Sequence, residues 1–136
     1  MKKKLTTEED YRQRVDRVCM YIREHLDKEI DMRRLAVLSA FSPFHFHRIM
    51  RAYLKEPIGA FIIRTRVETA AKLLRYTDLP VADIAYRVGY DTPSSLTKSF
   101  CKLFGISPKM YRLTKNYQMM TTREPKAEVK LSRAKV

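Results

Sequence analysis

Apolar side chains recur at Tyr11, Val15, Val18, Ile22 and Leu26, with charged residues between them. That spacing predicts a first helix of about five turns. Thr7 followed by Asp10 reads as its capping box, with Asp in place of the usual Glu. Asp31 caps a second helix that turns Leu35, Ala36 and Leu38 inward. Ser42-Pro43 opens a third helix running to about Lys55, because proline at the first helical position gives up an N–H that has no partner there. A long fourth helix starts at Pro57, carries Phe61, Ile62, Val67, Ala70, Ala71 and Leu74, and ends near Tyr76-Thr77-Asp78. A fifth begins around Pro80 and is stopped by Gly89, which suits a left-handed cap. Thr92-Pro93 opens a sixth, closed at Gly105, and Ser107-Pro108 opens a short last helix with Tyr111.

Within this series one pattern occurs twice. Leu35-Ala36, Ser42-Pro43, Phe46, Ile49, Met50 and Leu54 answer to Ile84-Ala85, Thr92-Pro93, Leu96, Ser99, Phe100 and Leu103. At nearly every position the offset is 49 before the turn and 50 after it (Leu54 and Leu103, 49 apart, are the exception), so the second copy has one extra turn residue. Each copy is a short helix, a tight turn and a hydroxyl-capped second helix, the helix-turn-helix arrangement. The expected fold is all-α: two helix-turn-helix subdomains joined by a long connecting helix, about seven helices in all. The organisation reads as a basic arm (1–8), a first unit (9–56), a connecting helix (57–76), a second unit (77–112), and a basic tail or linker (113–136). Ala127 to Leu131 alternates weakly, as one strand would, with a disordered tail as the alternative.

Composition supports this picture. The chain has 136 residues and only three glycines, which argues against hairpins. A unit of roughly 50 residues buries little alone, so the two should share an element. The net charge of +13 predicts an anionic partner, nucleic acid before membrane. Cys19 and Cys101 sit far apart in helical patterns and read as small core residues of a reducing compartment. No apolar run suits a membrane span, and no apolar segment follows the N-terminal lysines as a signal peptide would need, so the expected location is the cytoplasm.

The third helix turns Phe46, Ile49, Met50 and Leu54 inward and leaves Phe44, His45, His47, Arg48, Arg51 and Lys55 outward. Early residues of such a helix face base edges. Arg48 is the candidate for a bidentate contact to guanine, His47 for a base or phosphate, and Phe44 for thymine methyls or sugars. The alternatives are core packing against the first helix for Phe44 and a local hydrogen bond for His45. His45 and His47 lie about 200° apart on a helix and cannot share a metal ion. In the sixth helix Ser94, Ser95, Thr97 and Lys98 face out beside Pro93. They are short polar groups that should discriminate bases less sharply, or only grip phosphate. Ser42 and Thr92, at helix starts, and Lys102 and Arg112 are weaker phosphate candidates. The long helix, roughly 28 Å at 1.5 Å per residue, is of the order needed to space two reading helices along one face of DNA.

The run Asp83-Ile84-Ala85, Val88-Gly89-Tyr90, Ser94-Ser95-Leu96, Ser99-Phe100, Lys102 to Gly105, Ser107-Pro108 and Tyr111-Arg112 resembles the signature of the AraC/XylS transcriptional regulators. Leu35-Ala36, Ser42 to Met50 and Arg66-Val67 to Leu74 resemble that family's first unit and connecting helix. The likeness covers about residues 9 to 112. It implies a bipartite domain with base contacts from Phe44, His47 and Arg48 and from Pro93, Ser94, Ser95, Thr97 and Lys98. The Ser42 to Arg48 segment is similar to members linked to an effector domain resembling the gyrase-inhibitory protein; the two readings this leaves are a chain from which such a domain is missing and a regulator that lacks a sensor.

The leading expectation is therefore a sequence-specific, double-stranded-DNA-binding transcription regulator, with RNA polymerase as a candidate second partner. The alternative is a non-specific nucleic-acid-binding or architectural basic protein. An enzyme is not expected, nor a cofactor or metal. His25, His45 and His47 come with no nucleophile–base pairing, phosphate loop or metal spacing.

Overall fold

The computed structural model describes the backbone of residues 4–120 and the side chains of residues 4–114. Among the described residues there are seven helices: α1 (Thr7–Glu24), α2 (Met32–Ser39), α3 (Pro43–Leu54), α4 (Ile58–Tyr76), α5 (Val81–Arg87), α6 (Pro93–Phe104) and α7 (Pro108–Met120).

The starts of these helices follow from side-chain chemistry. Asp31, Ser42 and Thr92 each accept a hydrogen bond from a backbone N–H in the first turn of α2, α3 and α6. The start of α1 departs from expectation by one residue. Its cap is Thr6, whose hydroxyl accepts from the Glu9 N–H at 3.1 Å while Glu9 accepts from the Thr6 N–H at 2.9 Å. The reciprocal box forms with Glu9 rather than Asp10, because the longer side chain can reach back to the cap. These bonds favour the ionised carboxylate and hold Glu9 below its ordinary range.

The last helix also differs from expectation. α7 continues through Leu113 to Met120, into the segment whose composition suggests a tail. No glycine or proline falls between Lys109 and Met120 to interrupt it. The rest of that tail, including Ala127 to Leu131, lies outside the described residues, as do Met1 to Lys3 of the arm.

The chain forms two compact units, Met1–Ile62 and Ile63–Val136. In the first, Val15, Val18, Cys19 and Ile22 of α1 are buried with Leu35 and Ala36 of α2 and Phe46 and Met50 of α3. Ile58, Phe61 and Ile62 of α4 complete that core. In the second, Val67, Ala70, Ala71 and Leu74 of α4 are buried with Ile84, Ala85 and Val88, with Leu96, Phe100 and Phe104, and with Tyr111 of α7. The long helix thus supplies residues to both cores instead of standing apart as a connector.

This arrangement extends the repeat beyond the helix-turn-helix pattern. Val15, Val18, Cys19 and Ile22 reappear 52 positions later as Val67, Ala70, Ala71 and Leu74. Phe61, buried in the first unit, reappears 50 positions later as Tyr111, buried in the second. Each unit is therefore a supporting helix, a helix-turn-helix pair and a closing helix. The early turns of α4 close the first unit, and its later turns support the second.

Candidate nucleic-acid interface

In α3, Phe46 and Met50 are buried, and the N-terminal residues of the opposite side stand in solvent. Phe44 is 87% exposed, which removes the core-packing alternative. Phe44, His47, Arg48 and Arg51 are all exposed and follow the i, i+3, i+4, i+7 rule, so they form one stripe. His45 lies off that stripe. Its Nδ1 is 2.8 Å from the Ser42 hydroxyl, the local hydrogen bond that had been its alternative. Ser42 also caps the helix by accepting from the His45 N–H at 3.2 Å. Its hydroxyl is thus occupied within the fold.

The second unit repeats the geometry with other side chains. In α6, Leu96, Phe100 and Phe104 are buried. Ser94, Thr97, Lys98 and Cys101 occupy the stripe positions that Phe44, His47, Arg48 and Arg51 hold in α3. Thr97 is half-buried and the other three are exposed. Thr92 donates to the Ser95 hydroxyl at 3.0 Å and accepts from the Ser95 N–H at 3.1 Å. Ser95 therefore takes part in the cap, as His45 does in α3. Lys102 is exposed, one turn beyond Lys98.

One expectation is corrected. Cys101 is exposed and not a core residue; its i+7 spacing from Ser94 is the signal that places it on the stripe. Cys19 is buried, and burial pushes its thiol above the ordinary range. Arg112 is tied into the fold through two of its guanidinium nitrogens. Its Nε donates to the Leu74 carbonyl and its Nη2 to the Thr77 carbonyl, each at 3.0 Å. The last carbonyls of α4, Leu74 among them, have no helical donor, and Arg112 reaches from α7 to Leu74 and to Thr77 just past the helix end.

Charge distinguishes the stripe cations from several others. Arg12 pairs with Glu8, Arg14 with Asp10 and Arg64 with Glu68, each within one helix. Among the described residues Arg48, Arg51, Lys98 and Lys102 have no ion-pair partner. Uncompensated cations on an exposed face attract phosphate. Among the described residues no group of three His, Cys, Asp or Glu side chains could hold a metal ion. None of the described helices is long and apolar enough to cross a membrane.

Two helix-turn-helix units with matched exposed stripes define a DNA-binding protein of the helix-turn-helix class. Comparison with known proteins agrees. A family model described as a helix-turn-helix domain matches residues 35–114. The transcriptional activator AarP of Providencia stuartii is 33% identical over 113 residues, covering 82% of this chain and 84% of AarP. The F1 operon positive regulatory protein of Yersinia pestis is 35% identical over 100 residues; these cover 73% of this chain but only 33% of that protein. The DNA-binding domain of the global transcriptional factor AdpA, solved in complex with a target DNA, superimposes with a TM-score of 0.71 at 28% identity. That match covers 81% of this chain and 97% of the AdpA domain. The chain belongs to the AraC-type helix-turn-helix family of transcriptional regulators. It is a sequence-specific DNA-binding regulator of transcription.

Proposed function

We propose that the chain reads two adjacent major-groove segments of one duplex, with α3 on one and α6 on the other. The observation that carries this reading is the duplicated stripe. Both second helices present the same four positions behind a hydroxyl cap and a proline, all four exposed in α3 and three of them, with Thr97 half-buried, in α6. In the first unit Arg48 reads guanine, His47 and Phe44 contact neighbouring base edges or methyls, and Arg51 meets backbone. In the second, Ser94, Thr97 and Lys98 make single or water-bridged contacts, and Ser95 contributes whatever its cap bond leaves free. Ser42, Thr92 and Lys102 lie nearest the phosphates; Arg112, held by α4, is left out of the interface. Neither stripe is given a catalytic step.

Selection of bound sequences from a random duplex pool tests the reading. An asymmetric site with two blocks of preference, the α3 block sharper, is expected. Enrichment of no sequence would replace this reading with non-specific compaction. Affinity should also fall steeply with salt, because several phosphates are neutralised.

The setting is the bacterial cytoplasm, where the chromosome lies. A bound regulator acts on transcription through RNA polymerase, which this reading names as the protein partner. A separate effector domain belongs to the same reading, since the F1 operon regulator is about three times as long as the matched part. Polymerase retention on a duplex carrying the selected site, with and without the chain, tests the first of these partners.

A further inference from the structure

We infer that Arg14, on the supporting helix α1, is a positioning residue for the reading helix α3 and not itself a DNA contact. The inference rests on the proposal that α3 reads bases. The turn between α2 and α3 has an unusual backbone for its sequence. Ala40 sits in the left-handed region at φ 61°, where a Cβ is disfavoured and glycine is usual. The matching residue of the second unit, Gly89, has φ 99° and no Cβ to oppose it. Something else must hold the first turn.

Arg14 is placed to do so. Its Nη1 donates to the Ala40 carbonyl at 3.3 Å, and its Nη2 lies 3.2 Å from the Asp10 carboxylate. The guanidinium carbon lies 4.9 Å from the centroid of the Phe41 ring, within cation–π range. Phe41 in turn meets Tyr11 edge-to-face at 4.9 Å. Arg17, one turn along α1, donates to the Leu38 carbonyl at 3.4 Å. Buried Ser39 completes the turn by donating to the Ala36 carbonyl and accepting from the Phe41 N–H. The fork of one guanidinium thus joins α1 to the two residues immediately before the Ser42 cap. Arg14 also lines a cavity of about 340 Å³ together with the Ser42 cap and with His45 and Arg48 of the reading helix. In the second unit Arg66, 52 positions on, lies 6.0 Å from the ring of Tyr90, the counterpart of Phe41.

The test uses the full chain and a duplex selected from a random pool. It compares Arg14→Met, Arg14→Lys and Arg48→Ala by affinity, base preference and salt slope. Arg14→Met should weaken specific binding about tenfold and flatten preference in the α3 block only, with the α6 block and the salt slope unchanged. Arg14→Lys should flatten the same block, because an ammonium cannot span Asp10, the Ala40 carbonyl and the Phe41 face together. It keeps the charge and the stem, so it reports even if Arg14→Met does not fold. Adding Ala40→Gly to Arg14→Lys should restore part of the lost preference by easing the left-handed backbone. A salt slope lower by about one, with uniform weakening on every sequence and rescue by lysine, would make Arg14 a phosphate contact and overturn the inference. So would wild-type preference in Arg14→Lys while Arg48→Ala loses it. If Arg48→Ala leaves the α3 block intact, the base-reading proposal fails instead.

Discussion

The two units place the same elements around different side chains, and the differences separate what the scaffold needs from what the partner reads. The first unit carries an aromatic, a histidine and two arginines on its stripe; the second carries Ser94, Thr97, Lys98 and Cys101. The first tolerates left-handed Ala40 and Lys55, where the second has Gly89 and Gly105. Even the cores are exchanged: buried Phe46 and Met50 stand where Leu96 and Phe100 stand. An aromatic and an aliphatic side chain swap places, so the volume is kept while its distribution is reversed. The first unit is more strained and chemically richer; the second is relaxed and plainer.

Core truncation should give the largest effects and show whether the units share stability. Phe46→Ala and Phe100→Ala should each cost about 3–5 kcal/mol, since both rings are fully buried. Thermal or denaturant unfolding measures this, and the loss of only one stage of a two-stage transition would assign each core to its own unit. Next comes the stripe. Arg48→Ala should cost about 1–3 kcal/mol of specific binding and relax one base position. Lys98→Ala should cost less and weaken all sequences more evenly. A reversed order would make α6 the sharper reader.

Backbone effects should be smaller and opposite in sign between units. Gly105→Ala should destabilise by about 1 kcal/mol, because a Cβ at φ 80° is strained even though no atom lies within 4 Å of it. Lys55→Gly, at the matching position, should stabilise by about 0.5 kcal/mol, the relief of strain being partly offset by a freer unfolded chain. Equal signs would mean that the left-handed caps are not equivalent. The smallest effect is confined to α1. Glu9 has a lowered value when folded, so its contribution is present above its ordinary value of 4.5 and lost as pH falls through the lowered one. Fraying of α1 by backbone amide exchange should increase in that acidic window, and Glu9→Gln should flatten the dependence.

Much of this was legible where a side chain acts on its own backbone. Ser42-Pro43, Thr92-Pro93, Asp31 and Gly105 mark helix ends through local chemistry, and the structure has caps at all four. Two adjacent threonines made the start of α1 ambiguous, and the Glu9 partner decided it. The left-handed Ala40 and Lys55 were not legible, because neither residue type announces that conformation. Arg112 bonds to residues more than thirty positions away, which no local pattern reveals. The repeat of α1 in α4 was hidden because its offset is 52 where the next helix has 49; the α4–α5 connection is three residues shorter. The stripe in α3 was readable from helical period alone. Its counterpart in α6 is harder to read, because Cys101 looks like a small apolar residue in sequence yet stands exposed on the stripe.

The measurement that bears most directly on the central claim is backbone-cleavage protection on a selected duplex, with the wild-type chain and with Arg48→Ala. Two protected major-groove segments about one helical turn apart are predicted, with Arg48→Ala weakening the one assigned to α3. A single short protected segment, or loss of both segments equally in the variant, would contradict it.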